Sequence, residues 1–308
     1  MKRYYSANDY FKKVFVNKEN GVKNNPQKIY KIAINAGFTC PNRDGTKAYG
    51  GCIFCKNGSG DFAKSGTDIK TQIKEAKALI NKKAGQNAKY ICYLQAFSNT
   101  YGSIEHLEKI YRECLSDEET VAISIATRPD CISRETANLL GALNKEKPIF
   151  VELGLQTSNE ETAKIINRNF TNEEYVSAVK LLKENGINVI THIIIGLLNE
   201  TAEDNLKTLK FVTDNKSDGV KFQLLHILKG TPLEKMQQKT LSKEEYFYIL
   251  GVLINHTPKN TVIHRLTGDG NKKYLLAPLW SANKKDVLNS LNIYLEQNNI
   301  IQGKDYVE

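Results

Sequence analysis

The chain has 308 residues, of which 41% are hydrophobic and 25% charged, and it carries a net charge of +9. This is the composition of an ordinary globular protein, long enough for one α/β barrel or two small domains. No apolar run reaches membrane-spanning length, and Met1-Lys2-Arg3-Tyr4-Tyr5 lacks the apolar core of a signal peptide, so a cytoplasmic protein with reduced thiols and no membrane partner is expected.

The positive charge suits a polyanion such as RNA, although lysines scattered along the chain equally describe solvated helix faces. The first thirty residues are polar and aromatic, and 8–15 reads as a short helix packed under a barrel. Lys28-Ile29-Tyr30-Lys31-Ile32-Ala33-Ile34-Asn35 reads as a strand. A helix follows over 67–83, then a strand over 90–95. A helix over 103–115 leads to a strand over 121–127, and a helix from 133 to about 145 leads to a strand over 149–156. Short and longer helices over 160–166 and 172–185 precede a strand over 188–195. A helix over 202–214 precedes the sixth strand, 219–226. Gly186, placed after the last helical residue, is positioned to cap the longer helix.

Six strands separated by helical segments predict an α/β protein with a parallel sheet, read as a partial (β/α)6 TIM-like barrel; a doubly wound sheet is the competing arrangement. The expected organisation is an N-terminal extension over 1–27, the partial barrel over 28–230, and a C-terminal extension over 231–308 packed on its open side. That extension is read as helices over 243–255 and 285–297 with a short strand over 262–265.

In a barrel the functional groups sit at the carboxyl ends of the strands. Here those ends carry Gln95, Thr127-Arg128, Gln156, Gly196, His226 and the loop after the first strand. That loop holds Cys40, Cys52 and Cys55, three of the six cysteines. Gly45, Gly50, Gly51 and Pro41 keep the connection irregular, so it can fold back and bring three thiols to one place. An iron–sulfur cubane on three thiolates leaves one iron open, whereas a structural zinc site needs a fourth protein ligand, and the sequence supplies no further C-x2-C pair. Cluster, zinc site with a distant fourth ligand and incidental thiols all remain compatible with the spacing alone.

The ordered set Cys40-x11-Cys52-x2-Cys55, Tyr93-Leu94-Gln95-Ala96-Phe97, Thr127-Arg128-Pro129-Asp130-Cys131, Val151-Glu152-Leu153-Gly154-Leu155-Gln156-Thr157, Asn167-Arg168, His192-Ile193-Ile194-Ile195-Gly196-Leu197, Lys221-Phe222-Gln223-Leu224-Leu225-His226 and Leu275-Leu276-Ala277-Pro278-Leu279-Trp280 is far more specific. It resembles the radical SAM superfamily, and within it the YhcC/YtqA-type (MnmL-type) family related to the Elongator catalytic subunit. The resemblance spans about residues 28–306.

It implies a [4Fe-4S] cluster on Cys40, Cys52 and Cys55 that binds S-adenosylmethionine and cleaves it reductively to a 5′-deoxyadenosyl radical, fed by an external one-electron reductant of flavodoxin or ferredoxin type. It further implies tRNA as partner, with conversion of a carboxymethylaminomethyl group on the wobble uridine toward aminomethyl. Around the cofactor, Gln95 and the Ala96 backbone are expected at the methionyl ammonium and Arg168 at the methionyl carboxylate. Gln156, with Glu152 on the same strand face, is expected at the ribose, and Thr127 at the same strand-end rim. Gly196 is expected to allow backbone approach to adenine, with Phe54 and Leu225 packing on it. Cys131 and His226 are the expected substrate-side groups, a packed thiol and a hydrogen-bonded core histidine being the plainer readings.

The chain departs from the family twice. Asn169-Phe170 stands where Gly-His is common after the Asn-Arg pair, and Leu198-Asn199 where Pro-Gly is common. Two other functional classes compete: a radical enzyme for a small metabolite or protein, and a non-enzymatic zinc/RNA-binding protein.

Overall fold

The computed structural model describes residues 2–15, 28–56, 66–84, 88–268 and 270–307; the expected N-terminal extension beyond residue 15 lies outside the described residues. In chain order the elements are α1 (Ala7–Val14), β1 (Ile29–Ile34), α2 (Ile69–Ala84), β2 (Lys89–Leu94), α3 (Ile104–Leu115), β3 (Thr120–Thr127), α4 (Arg134–Asn144), β4 (Ile149–Gln156), α5 (Glu160–Ile165), α6 (Asn172–Glu184), β5 (Asn188–Ile195), α7 (Ala202–Asp214), β6 (Gly219–Leu224), β7 (Ile227–Leu228), α8 (Lys243–His256), β8 (Val262–Arg265), β9 (Leu275–Ala277) and α9 (Lys284–Gln297). The helices begin where sequence chemistry places them. Thr171 with Glu174, Thr201 with Asp204 and Ser242 with Glu245 form capping boxes that satisfy otherwise orphaned backbone N–H groups. Gly186 follows α6 with φ +70°, as its capping role requires.

The main sheet is parallel and runs β1-β2-β3-β4-β5-β6-β8, leaving β1 and β8 as its edges. It curls into a half-barrel. Six of its strands are those expected. The seventh comes from the tail: Val262 pairs with Gly219 and Ile263 with Val220, so this tail strand extends the sheet. Its short Val-Ile-His-Arg run reads as a strand of the C-terminal extension, and tertiary pairing decides its place beside β6. β7 and β9 form a small antiparallel ribbon at the carboxyl side of β6.

Side chains alternate between the two faces of each strand. On the convex face Ile32, Leu94, Ile125, Leu153, Ile193 and Phe222 pack under the helices in one large apolar core. The concave face is layered. Ile91, Ala122, Phe150 and Ile190 make an apolar floor, plugged from below by Phe11 of α1. Two residues further along the same strands the face turns polar, with Tyr93, Ser124, Glu152 and His192. Beyond these lie the strand ends. The floor is locked by the two termini: the Gln302 side chain accepts from Tyr5 N and donates to the Pro258 and Thr261 carbonyls.

Candidate active site at the carboxyl ends of the strands

The cysteine loop leaves β1 and folds back on itself. Arg43 N donates to Cys40 O at 2.8 Å, Gly51 N to Asn42 O at 2.8 Å, and Cys55 N to Cys52 O at 2.9 Å. The loop is then fastened to the α5–α6 connection. Asn42 Nδ2 donates to Asn167 O at 2.6 Å, Asn167 Nδ2 to Gly51 O at 2.8 Å, and Ile53 N to Ile166 O at 3.1 Å. Asn42 is fully buried and its amide also faces Cys52 Sγ at 3.7 Å, while Arg43 Nη1 points at Cys55 Sγ at 4.0 Å.

Both family departures fall where the backbone is left-handed. Asn169 has φ +55° and Asn199 φ +63°. Asparagine is the side chain that tolerates this region best after glycine. Asn169 adds something glycine cannot: its Nδ2 donates to Asn42 Oδ1 at 2.7 Å, tying the turn to the cysteine loop.

The three thiols share one neighbourhood. Burial pushes the Cys52 thiol up to about 12, with Cys55 and Cys40 adding to the rise and Arg128 opposing it. Among the described residues no three His, Cys, Asp or Glu side chains converge on a single-ion site. A cubane makes no such demand, because each thiolate binds a different iron.

All three cysteines border a cleft that reaches down the concave face, lined also by Phe54, Phe97, Thr127, Gln156 and Phe170. Gln156 sits at φ +73°, and its buried Oε1 has no hydrogen-bond partner. A Cβ at Gly154 would meet Gln156 Nε2 at 2.8 Å, so glycine there makes room for the amide. An unpaired acceptor lining a cleft fits a ligand hydroxyl. Thr127 also lines the cleft, its Oγ1 2.6 Å from Thr100 Oγ1. Phe54 and Leu225 belong to one apolar cluster with Ile53, Ile194 and Leu197, and a Cβ on Gly196 would lie 3.8 Å from Leu225 Cβ. The expected apolar group is therefore assembled beside the cysteine loop.

Two expected cofactor contacts are spent elsewhere. Arg168 borders the cleft, but its N–H groups all point at protein acceptors: the carbonyls of Phe170, Leu155 and Thr157, the Glu160 carboxylate and Asn172 Oδ1. In this arrangement it braces the connection that holds the cysteine loop. Glu152 is fully buried, and its carboxylate is taken by Lys31, Ser124, His192 and Lys221. It does not reach for a ribose, being four residues, about 13 Å of strand, below Gln156.

Gln95 and Ala96 follow β2, with Gln95 N donating to Ile34 O at 3.4 Å, and neither lines the cleft. Cys131 lies outside the lining too, its thiol pushed up to about 12 by burial and by Asp130. His226 packs against the Gly268 and Gly270 backbone, also away from the cleft.

The sequence reading placed Arg128 at a strand end but gave it no role. Its guanidinium lines the cleft and is forked onto Asp130 at 2.9 and 2.8 Å, with Lys47 adding a third contact to that carboxylate at 2.8 Å. The guanidinium carbons of Arg128 and Arg168 lie 5.1 and 4.3 Å from the ring centre of Phe170. The Arg-x-Asp spacing after a strand was the available signal.

Residues 35–212 match the radical SAM superfamily, and residues 217–297 match the Radical_SAM C-terminal domain. The chain belongs to the radical SAM superfamily. Within it the chain is 40% identical over 309 residues to YtqA of Bacillus subtilis, covering 98% of this chain and 92% of that one, which places it in the YhcC/YtqA-type family. It is 29% identical over 174 residues to a tRNA uridine(34) acetyltransferase of Methanocaldococcus jannaschii, where the match spans 54% of this chain and 31% of the relative. Its fold resembles the solved Elp3 of the archaeon Methanocaldococcus infernus, with a TM-score of 0.69 at 20% identity, covering 90% of this chain and 64% of that one.

This radical SAM enzyme uses the cofactors of its superfamily, a [4Fe-4S] cluster and S-adenosylmethionine. The residues present fit them: three neighbouring thiols on a pinned loop, a buried unpaired amide oxygen and an adjoining apolar group.

Proposed function

We propose that this radical SAM enzyme modifies tRNA at the wobble uridine, converting a carboxymethylaminomethyl group at C5 toward aminomethyl. The observation that carries the reading is the continuous path from the three-cysteine loop into a polar concave interior. Such a path lets a flipped base present its side chain to the cofactor, as enzymes acting on bases require. Likeness to a tRNA uridine(34) acetyltransferase supports tRNA as substrate class, and the +9 charge suits a phosphate backbone. Lys56, next to Cys55 in the chain, and Lys273 both lie over the Tyr274 ring, at 3.1 and 5.4 Å, a basic and aromatic pairing of the kind that meets nucleotides.

When bound, the cluster supplies the electron that splits the sulfonium and yields the hydrogen-abstracting 5′-deoxyadenosyl radical. Cys40, Cys52 and Cys55 hold the cluster. Gln156 accepts from a ribose hydroxyl, and Thr127 holds the strand-end rim, while Gln95 and Ala96 stand behind that rim at the end of β2. Phe54, Gly196 and Leu225 shape the adenine side. Arg128 supplies positive charge beside the cluster, and Cys131 and His226 take positions outside this contact set. The electron comes from a flavodoxin- or ferredoxin-type reductant in the cytoplasm. Among the described residues no helix is long and apolar enough to cross a membrane.

The test is anaerobic. Protein reconstituted with iron and sulfide is given dithionite, S-adenosylmethionine and undermodified tRNA. The reading expects 5′-deoxyadenosine that rises with tRNA together with a mass change on one uridine. Deoxyadenosine indifferent to tRNA directs the search to a metabolite or protein substrate.

A further inference from the structure

Two consecutive residues of the cysteine loop aim donors at two of its sulfurs. Asn42 is fully buried, and Asn169 Nδ2 donates to its Oδ1 at 2.7 Å, which fixes the amide's orientation. Its Nδ2 donates one hydrogen to Asn167 O at 2.6 Å. An amide nitrogen carries two hydrogens, and the second is left for Cys52 Sγ, 3.7 Å away. Arg43 comes next. Its Nη1 donates to Cys55 O at 3.3 Å and stands 4.0 Å from Cys55 Sγ.

The loop makes room for that arginine. A Cβ at Gly51 would lie 3.0 Å from Arg43 Cγ and 3.1 Å from Arg43 Nη1, and Gly51 itself has φ +80°. The guanidinium carbon lies 5.7 Å from the Phe97 ring centre, and Arg43 and Phe97 both line the cleft that the three cysteines border. Three guanidinium groups belong to that lining, and two of them are matched by acids, Arg128 by Asp130 and Arg168 by Glu160. Among the described residues Arg43 has no carboxylate partner, so its charge stands uncompensated beside Cys55.

We propose that Arg43 sets the reduction potential of the iron–sulfur cluster, with Asn42 as the weaker, neutral donor. The identification rests on the assignment of the cluster to Cys40, Cys52 and Cys55 and is independent of the tRNA reading. One electron from the external reductant adds one negative charge to the cluster, and no proton moves with it. A fixed cation and N–H groups facing the sulfurs favour the more negative form, and so raise the potential. Arg43 thereby brings the cluster within reach of its reductant. Both residues act through the cluster and are positioning residues. Arg43 carries the larger share, because it adds a full charge where the Asn42 amide adds only a dipole.

The test is a potentiometric titration of the full-length protein, reconstituted with iron and sulfide and kept free of S-adenosylmethionine, with the reduced cluster read by electron paramagnetic resonance. At the wild-type midpoint, Arg43→Met is expected to lower the ratio of reduced to oxidised cluster about tenfold, a fall of about 59 mV for one electron. Arg43→Lys, which keeps the charge, stays near wild type, and Arg43→Gln, which keeps only N–H groups, falls between. Asn42→Asp lowers the midpoint as well, and a midpoint that stays or rises there removes Asn42 from the proposal. An unmoved midpoint in Arg43→Met at equal iron content overturns the role of Arg43. If S-adenosylmethionine then binds more weakly to that variant, Arg43 belongs to the cofactor's carboxylate instead. Should Arg43→Met fail to hold a cluster, the other two variants decide: a lower midpoint for glutamine than for lysine supports the role, and equal midpoints overturn it. A Cys55→Ala protein that keeps the full iron–sulfur signal overturns the cluster assignment, and the role of Arg43 with it.

Discussion

The two faces of the same seven strands behave as two different materials. The convex face is a continuous apolar core, with Ile125, Leu153 and Phe222 completely buried under helices. The concave face has an apolar floor, then a charged layer, then a rim of cysteines, amides and guanidinium groups. Alternation along each strand lets one sequence build both. The helices stabilise the first face, and the second is left to hold ligands and gives up packing to do so.

The largest effect expected on the concave side is at the rim. Cys52→Ala should abolish the iron–sulfur absorbance and lower cofactor cleavage by more than the roughly hundredfold that loss of an outer hydrogen-bond partner causes. Its melting point should move little by comparison. Iron content and 5′-deoxyadenosine yield check this.

On the convex side, Ile125→Ala should cost about 2–5 kcal/mol in denaturant unfolding through a cavity in the sealed core, while iron bound per folded molecule stays the same. Arg168 lies between the two regimes. Arg168→Ala should cost about 3 kcal/mol, because it leaves several buried carbonyls unsatisfied. If it also raises the KM for S-adenosylmethionine severalfold at unchanged stability, the bracing role is wrong and the direct contact is restored.

The charged layer should give the concave face a pH signature that the convex face lacks. His192 titrates near 4 in the folded chain against about 6.5 when unfolded, so below 6.5 the unfolded chain binds the extra proton. The histidine's share of the stability is fully present above 6.5 and falls by about 3 kcal/mol as pH drops to 4. Glu152 adds to the same trend at still lower pH. Burial alone would raise its pKa, but Lys221, Lys31 and His192 hold it well below the usual carboxylate range. His192→Gln should flatten the window between 4 and 6.5 in urea melts taken across that range.

The smallest effect concerns turn geometry. Asn199→Gly, at φ +63°, should change stability by under about 1 kcal/mol, whereas Asn199→Val should cost about 1–2 kcal/mol. Melting temperatures of the pair distinguish a backbone requirement from a side-chain one.

Much of the fold was legible because strands and helices differ in period, and the cysteine spacing marked the rim before any coordinates. What the sequence hid was register and competition. Val262–Arg265 reads as a short strand, but the sequence does not say that it pairs in parallel with β6 and extends the main sheet. Glu152 and Gln156 share a strand face, but the sequence does not say that lysines from β1 and β6 reach Glu152 first. Arg168 looked available because a sequence shows donors without the backbone carbonyls that a tight turn aims at them.

The most direct measurement of the central claim follows the hydrogen atom. Undermodified tRNA carrying deuterium on the methylene groups of the uridine C5 side chain is incubated with reduced, reconstituted protein and S-adenosylmethionine, and the 5′-deoxyadenosine is read by mass spectrometry. The account predicts one deuterium in the deoxyadenosine and a matching change on the same uridine. Deoxyadenosine that forms in quantity without deuterium, on tRNA that stays unaltered, would contradict it.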